Sequence, residues 1–148
     1  MLARIFGPLS SLWPLILRIA VGIVFIGHGY AKLFGKVGVL GAGVPGVTDF
    51  FTSLGIIFPE IFAWIVSFVE FFGGFCLILG LFARYVSLLM AIDMITAILI
   101  AKAKLDINGL LAVRGYELEL LLLTGALALL LGGSGPLSIE KMLFRKEL

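Results

Sequence analysis

The sequence predicts an all-α protein: a four-helix transmembrane bundle, with a short interfacial helix between spans one and two and a short amphipathic helix at the C-terminus. Three observations carry this. The 148 residues are 61% hydrophobic with a mean hydropathy of +1.22, against about 45–50% apolar residues in a soluble domain. Four apolar segments approach the length of a bilayer-spanning helix, about 20 residues, and charged or glycine-rich stretches separate them. Six ionisable side chains (Arg18, His28, Glu70, Asp93, Glu117 and Glu119) fall inside or at the edge of those segments. A charge in hydrocarbon costs about 2.5–3.5 kcal/mol on insertion scales, so these groups are expected to face one another in a polar interior.

The spans are expected over residues 12–33, 59–81, 85–101 and 116–131, all within one integral membrane domain, 1–148. Pro14 is tolerable in the first turn of span one, and Pro59 suits the first helical position of span two. Gly80 marks the exit of span two, and a tight turn around Phe82–Arg84 leads into span three. The polar connection Lys102–Gly115 joins spans three and four, and the run GGSGP, Gly132 to Pro136, stops span four. In the long first connection, Thr48 followed by Asp49 is expected to cap a short helix through Leu54, lying on the membrane surface or tucked over the bundle. After Pro136, LSIEKMLFRKEL reads as an amphipathic interfacial helix.

Composition excludes several function classes. The net charge of +2 is small and the basic residues are scattered, which argues against nucleic acid as a partner. Cys76 is the only cysteine. It excludes an intramolecular disulfide, a CxxC redox pair and a cysteine-based zinc site, and no metal site is expected. The N-terminal apolar stretch is too long for a cleaved signal peptide. Five basic residues fall on each side of an even-spanning bundle, so the positive-inside rule does not fix orientation. The basic 82–84 turn and basic tail favour cytoplasmic termini. The expected surroundings are the lipid bilayer of a prokaryotic plasma membrane, with room for a homo-oligomer.

Alternating span direction sets depth. His28, Tyr30 and Lys32 should lie level with Glu60, Tyr116, Glu117 and Glu119, with Glu70 and Asp93 near mid-depth. At about 100° per residue, Arg18, Gly22, Phe25 and Gly29 share one face, as do Ala63, Ser67, Glu70 and Gly74. Glu117 lines up with Thr124 and Ala128 and is taken as inward-facing. Glu119 points about 200° away and is expected at the interface or paired with Lys32 or Arg114. The candidate pocket and proton-carrying residues are therefore Arg18, His28, Lys32, Glu70, Asp93 and Glu117. Each has a structural alternative. Arg18 with Glu70 would be a register-fixing ion pair, His28 a hydrogen-bond donor near the headgroups, and Lys32 a snorkelling anchor.

The stretches LRIAVGIVFIGHGYAKLFG, FVEFFGGFCLILGLFARY and GYELELLLLTGALALLLGGSGPLSIEKML resemble the DoxX family of small four-span membrane proteins. The resemblance rests on Arg18, His28-Gly29, Lys32, Glu70, Gly73-Gly74, Gly80, Arg84, Glu117 and Gly135-Pro136, in order and spacing. Asp93 lies outside that pattern. The resemblance implies a redox-linked role, since the family takes its name from a subunit of a membrane thiosulfate:quinone oxidoreductase. It also implies a partner, either a soluble redox enzyme or a second membrane subunit.

Three functions follow as expectations. The first is a quinone-associated membrane subunit, with Arg18, His28, Glu70 and Glu117 around Phe25, Phe71 and Phe72 holding the quinone head. No covalently held cofactor is implied. The second is a non-catalytic scaffold for a soluble redox enzyme. The third is a small proton-coupled carrier using Glu70 and Asp93, which should show helices broken at mid-depth.

Overall fold

The computed structural model describes residues 11–35, 43–102 and 116–145. Apart from Lys102, the expected polar connection between spans three and four lies outside them, Lys104 and Arg114 included. Helix α1 runs Trp13–Phe34, α2 Gly43–Ser53, α3 Pro59–Leu79, α4 Ala83–Thr96, α5 Glu117–Gly132 and α6 Ile139–Phe144. A π-helical turn, Ala97–Lys102, continues α4.

Among the described residues, three helices are long and apolar enough to cross a membrane: Trp13–Phe34, Pro59–Leu79 and Ala83–Ile100. Helix α5 has 16 residues, about 24 Å at 1.5 Å per residue, which is shorter than the roughly 30 Å hydrocarbon core. The chain punctuation sets these boundaries. Gly35 closes α1 with φ 66° and donates its N–H to the Ala31 carbonyl. Pro59 opens α3. Gly80 closes α3 in the left-handed region, φ 66°, and the Arg18 guanidinium lies against it where any Cβ would stand. That position therefore needs glycine for conformation and for room. Arg84 donates to the carbonyls of Leu130 (2.7 Å) and Leu131 (3.1 Å), satisfying the last turn of α5.

One apolar core draws on all four long helices: Val21 and Phe25 from α1, Leu77 from α3, Met90, Ala91 and Met94 from α4, and Leu122, Ala126 and Leu129 from α5. Helices α1 and α3 pack along their length, and so do α4 and α5. The α1–α3 approach is close because glycines meet there: a Cβ on Gly22 would stand 2.8 Å from the Gly74 carbonyl oxygen. Large apolar side chains such as Ile16, Phe68, Phe72 and Leu131 point outward, the surface a lipid environment suits.

Helix α2 is seated on α3 through Val44, Val47 and Ala63. It starts five residues before Thr48, whose hydroxyl donates to the Val44 carbonyl four residues back at 3.0 Å. Thr48 is thus a mid-helix residue, not the cap expected from Thr48-Asp49. A threonine hydroxyl bonds back within a helix as readily as it caps one. At the other end of the chain, the Ser138 side chain accepts from the Lys141 N–H at 3.3 Å and caps α6. Met142 and Leu143 face outward, while Glu140 is buried and accepts from the Ala83 N–H at 3.3 Å.

Candidate functional site

The long helices and α2 enclose a cavity of about 510 Å³, within the size range of small-molecule sites. Phe25, His28 and Lys32 reach it from α1, Glu70 and Phe62 from α3, Asp93 and Met94 from α4, and Glu119 and Leu122 from α5. Helix α2 closes one side with Val47, Phe50 and Phe51, joined by Leu54 just beyond its end. The walls are mostly aromatic and aliphatic, and the polar groups converge from four different helices.

The centre of that polar group is an ion pair. Lys32 Nζ donates to Glu70 Oε1 at 2.6 Å, with the side chains 15% and 3% exposed. Helix geometry explains the pairing. Side chains lean toward the N-terminal end of their own helix, so Lys32, in the last turn of α1, points back into the bundle. The same lean carries Arg18 in the same direction, toward the start of α1 and so away from Glu70. There Arg18 is fully buried and donates from Nη2 to the Leu137 carbonyl at 2.6 Å. The expected Arg18–Glu70 pair is therefore replaced by Lys32–Glu70, and Arg18 belongs to the opposite end of α3, beside Gly80. The expectation that Lys32 snorkels outward fails for the same reason.

Asp93 completes the cluster. Its carboxyl group lies within hydrogen-bonding reach of the Glu70 carboxyl, with Lys32 and His28 the nearby cationic or basic groups. Glu70 Oε2 and Asp93 Oδ2 are both buried and receive no N–H or O–H donor among the described residues. The described residues contain no grouping of three or more His, Cys, Asp or Glu side chains placed to hold a metal ion.

On α5 the two glutamates exchange sides. Glu119 lines the cavity, whereas Glu117 is exposed. The inward stripe of α5 is Leu122, Gly125, Ala126 and Leu129, and Glu119 leads into it at the i, i+3, i+7 spacing. Thr124, used to orient Glu117, is exposed and donates to the Leu121 carbonyl of its own helix at 2.8 Å. Leucines surround α5 on every side, so its pattern names no inner face.

Two further features were not legible. Phe25 lines the cavity as expected, but Phe71 and Phe72 do not. They join Tyr30, Phe34 and Phe75 in an aromatic cluster against the outer side of α1 and α3. Phe50, Phe51 and Phe62 take their place. The π-helical turn brings Ala97 and Ile100 to the cavity wall, and such turns recur at functional sites.

Known proteins share this arrangement of sequence. The DoxX family profile matches residues 13–103. The chain is similar to a protein of Bacillus subtilis (strain 168) named "Putative oxidoreductase CatD", 32% identical over 131 residues covering 88% of this chain and 87% of the other. It is also similar to "Uncharacterized membrane protein Rv3486" of Mycobacterium tuberculosis, 30% identical over 161 aligned positions covering 96% of this chain and 94% of that one. No solved structure matches the chain.

Proposed function

This chain belongs to the DoxX family of membrane proteins, and from that premise we propose that it is a redox-linked membrane subunit whose cavity receives a quinone head group. The observation that carries the reading is the Lys32–Glu70–Asp93 cluster set into a cavity otherwise walled by Phe25, Phe50, Phe51 and Phe62. A quinone needs an apolar slot for its ring and tail, with donors and proton carriers at its oxygens. Lys32 is a donor, and Glu70, Asp93, Glu119 and His28 can carry protons. The name of the Bacillus subtilis relative, an oxidoreductase, agrees with this. Electrons would come from a soluble redox enzyme docked at the membrane or from a soluble substrate, since one cysteine and one histidine supply neither the four thiolates of an iron–sulfur cluster nor a histidine pair for a haem.

In this reading α5 is the fourth crossing, completing a four-helix bundle with both termini on one face. The shared core of α1, α3, α4 and α5 supports it. Reporter fusions at the two termini should then give the same side.

The test of function is extraction of the protein from its native membrane and assay of the extract for quinone. A stoichiometric quinone supports the proposal. Its absence, with a soluble enzyme co-purifying, favours the scaffold. The carrier reading is less well supported, because α1 and α3 run unbroken past Gly22 and past Gly73-Gly74.

A further inference from the structure

Two carboxyl groups in hydrogen-bonding reach of each other cannot both remain anionic unless enough positive charge faces them. Among the described residues, the groups facing the Glu70–Asp93 pair are Lys32 and His28 from α1 and Glu119 from α5. The residues α2 turns toward the cavity are apolar. The Lys32 ammonium already sits on Glu70 Oε1. It balances one negative charge, and the second carboxyl is left facing the first. Glu70 is 2% exposed, and its Oε2 receives no donor among the described residues.

We propose that Glu70 and Asp93 hold one proton between them, and that this is the proton the cavity exchanges with its ligand, resupplied through Glu119 and the exposed His28. The exchange with a ligand rests on the redox reading above; the shared proton does not. The count closes. With one proton, the pair carries a single negative charge and Lys32 a single positive one. When the proton passes to a ligand oxygen, two carboxylates face one ammonium. A proton arriving by way of His28 or Glu119 restores the neutral cluster.

The test is infrared spectroscopy of the full chain in lipid nanodiscs at neutral pH, with no ligand added. The wild type should show the C=O stretch of a protonated carboxyl. Asp93→Asn and Glu70→Gln should each abolish it, because the remaining carboxyl then has Lys32 to itself. Glu140→Gln, which alters the other deeply buried carboxyl, should leave it. The double change His28→Gln with Glu119→Gln should slow the shift of the band in D₂O several-fold. A wild type without the band, or a band that survives both Asp93→Asn and Glu70→Gln, overturns the shared proton. Unslowed exchange in the double variant overturns the route. A band present in protein whose extracts hold no quinone sinks the quinone reading alone.

Discussion

Lys32, in the last turn of α1, donates to Glu70, in the middle of α3, at 2.6 Å across 38 residues of sequence. The contact ties the two most closely packed helices together at the depth where Asp93 and the cavity lie. It also puts the positive end of a long side chain inside the bundle, where a charge persists only with a partner.

The three ionisable groups of this cluster are not equivalent. Lys32→Met strands two neighbouring carboxyl groups, whereas Glu70→Gln leaves Asp93 to inherit the ammonium. Lys32→Met should therefore destabilise more, approaching the roughly 3–5 kcal/mol cost of breaking a buried pair, with Glu70→Gln well below it. The double change Lys32→Met with Glu70→Leu should be milder than the sum of the single changes. Thermal unfolding in detergent measures all of these, and strictly additive losses would count against the contact.

Glycines separate the packed faces of α1 from its free one. A Cβ on Gly22 would meet Ile78 Cγ1 at 2.7 Å and the Gly74 carbonyl oxygen at 2.8 Å, while one on Gly27 meets nothing within 4 Å. Gly22→Ala should cost about 1–3 kcal/mol, the usual penalty of overpacking, and Gly27→Ala should be neutral. Equal melting temperatures for the two variants would show that α1 and α3 are not held at this distance.

Much of the fold was legible because its signals are local. Pro59, Gly80 and Gly132-Gly133 act on their own backbone, and the observed ends of α3 and α5 lie within two residues of those expected. The face shared by Ala63, Ser67, Glu70 and Gly74 was equally readable, since small and polar residues mark it against large apolar neighbours. The partner of a buried charge was not readable. It depends on the direction a long side chain leans, and this sends Lys32 inward and Arg18 toward the termini. Nor could α5 reveal its inner face, because leucine repeats on all sides of it. Depth set His28 and Lys32 at a different level from Glu70 and Asp93, whereas the structure brings all four to one cavity; phase misassigned Glu117 and Glu119.

Arg18 separates stability from function. Its guanidinium donates to the Leu137 carbonyl at 2.6 Å and so holds the C-terminal segment against the α3–α4 turn. It lies 14 residues from Lys32 on the same helix, about 21 Å at the helical rise. Arg18→Leu should cost at least about 1.5–3 kcal/mol, the worth of a hydrogen bond to a charged group. Arg18→Lys should recover only part of this, lacking the planar fork. Quinone content per folded molecule should match the wild type in both. A loss of bound quinone without a loss of stability would place Arg18 in the site after all.

The sharpest functional contrast lies two residues apart on α5. Glu119 lines the cavity on the stripe that continues through Leu122 and Ala126, and Glu117 points away from it. Both changes to glutamine remove one charge from the same helical turn, so their effects on the helix dipole and on interfacial electrostatics should nearly cancel in a comparison. What remains is the cavity. Glu119→Gln should lower quinone retention or alter its pH dependence, and Glu117→Gln should leave both unchanged. Titration of the two purified variants with a short-tailed quinone measures this directly. Should Glu117→Gln weaken binding as much as Glu119→Gln, the loss would be one of general charge at the end of the bundle, and Glu119 would have no distinct part in the site.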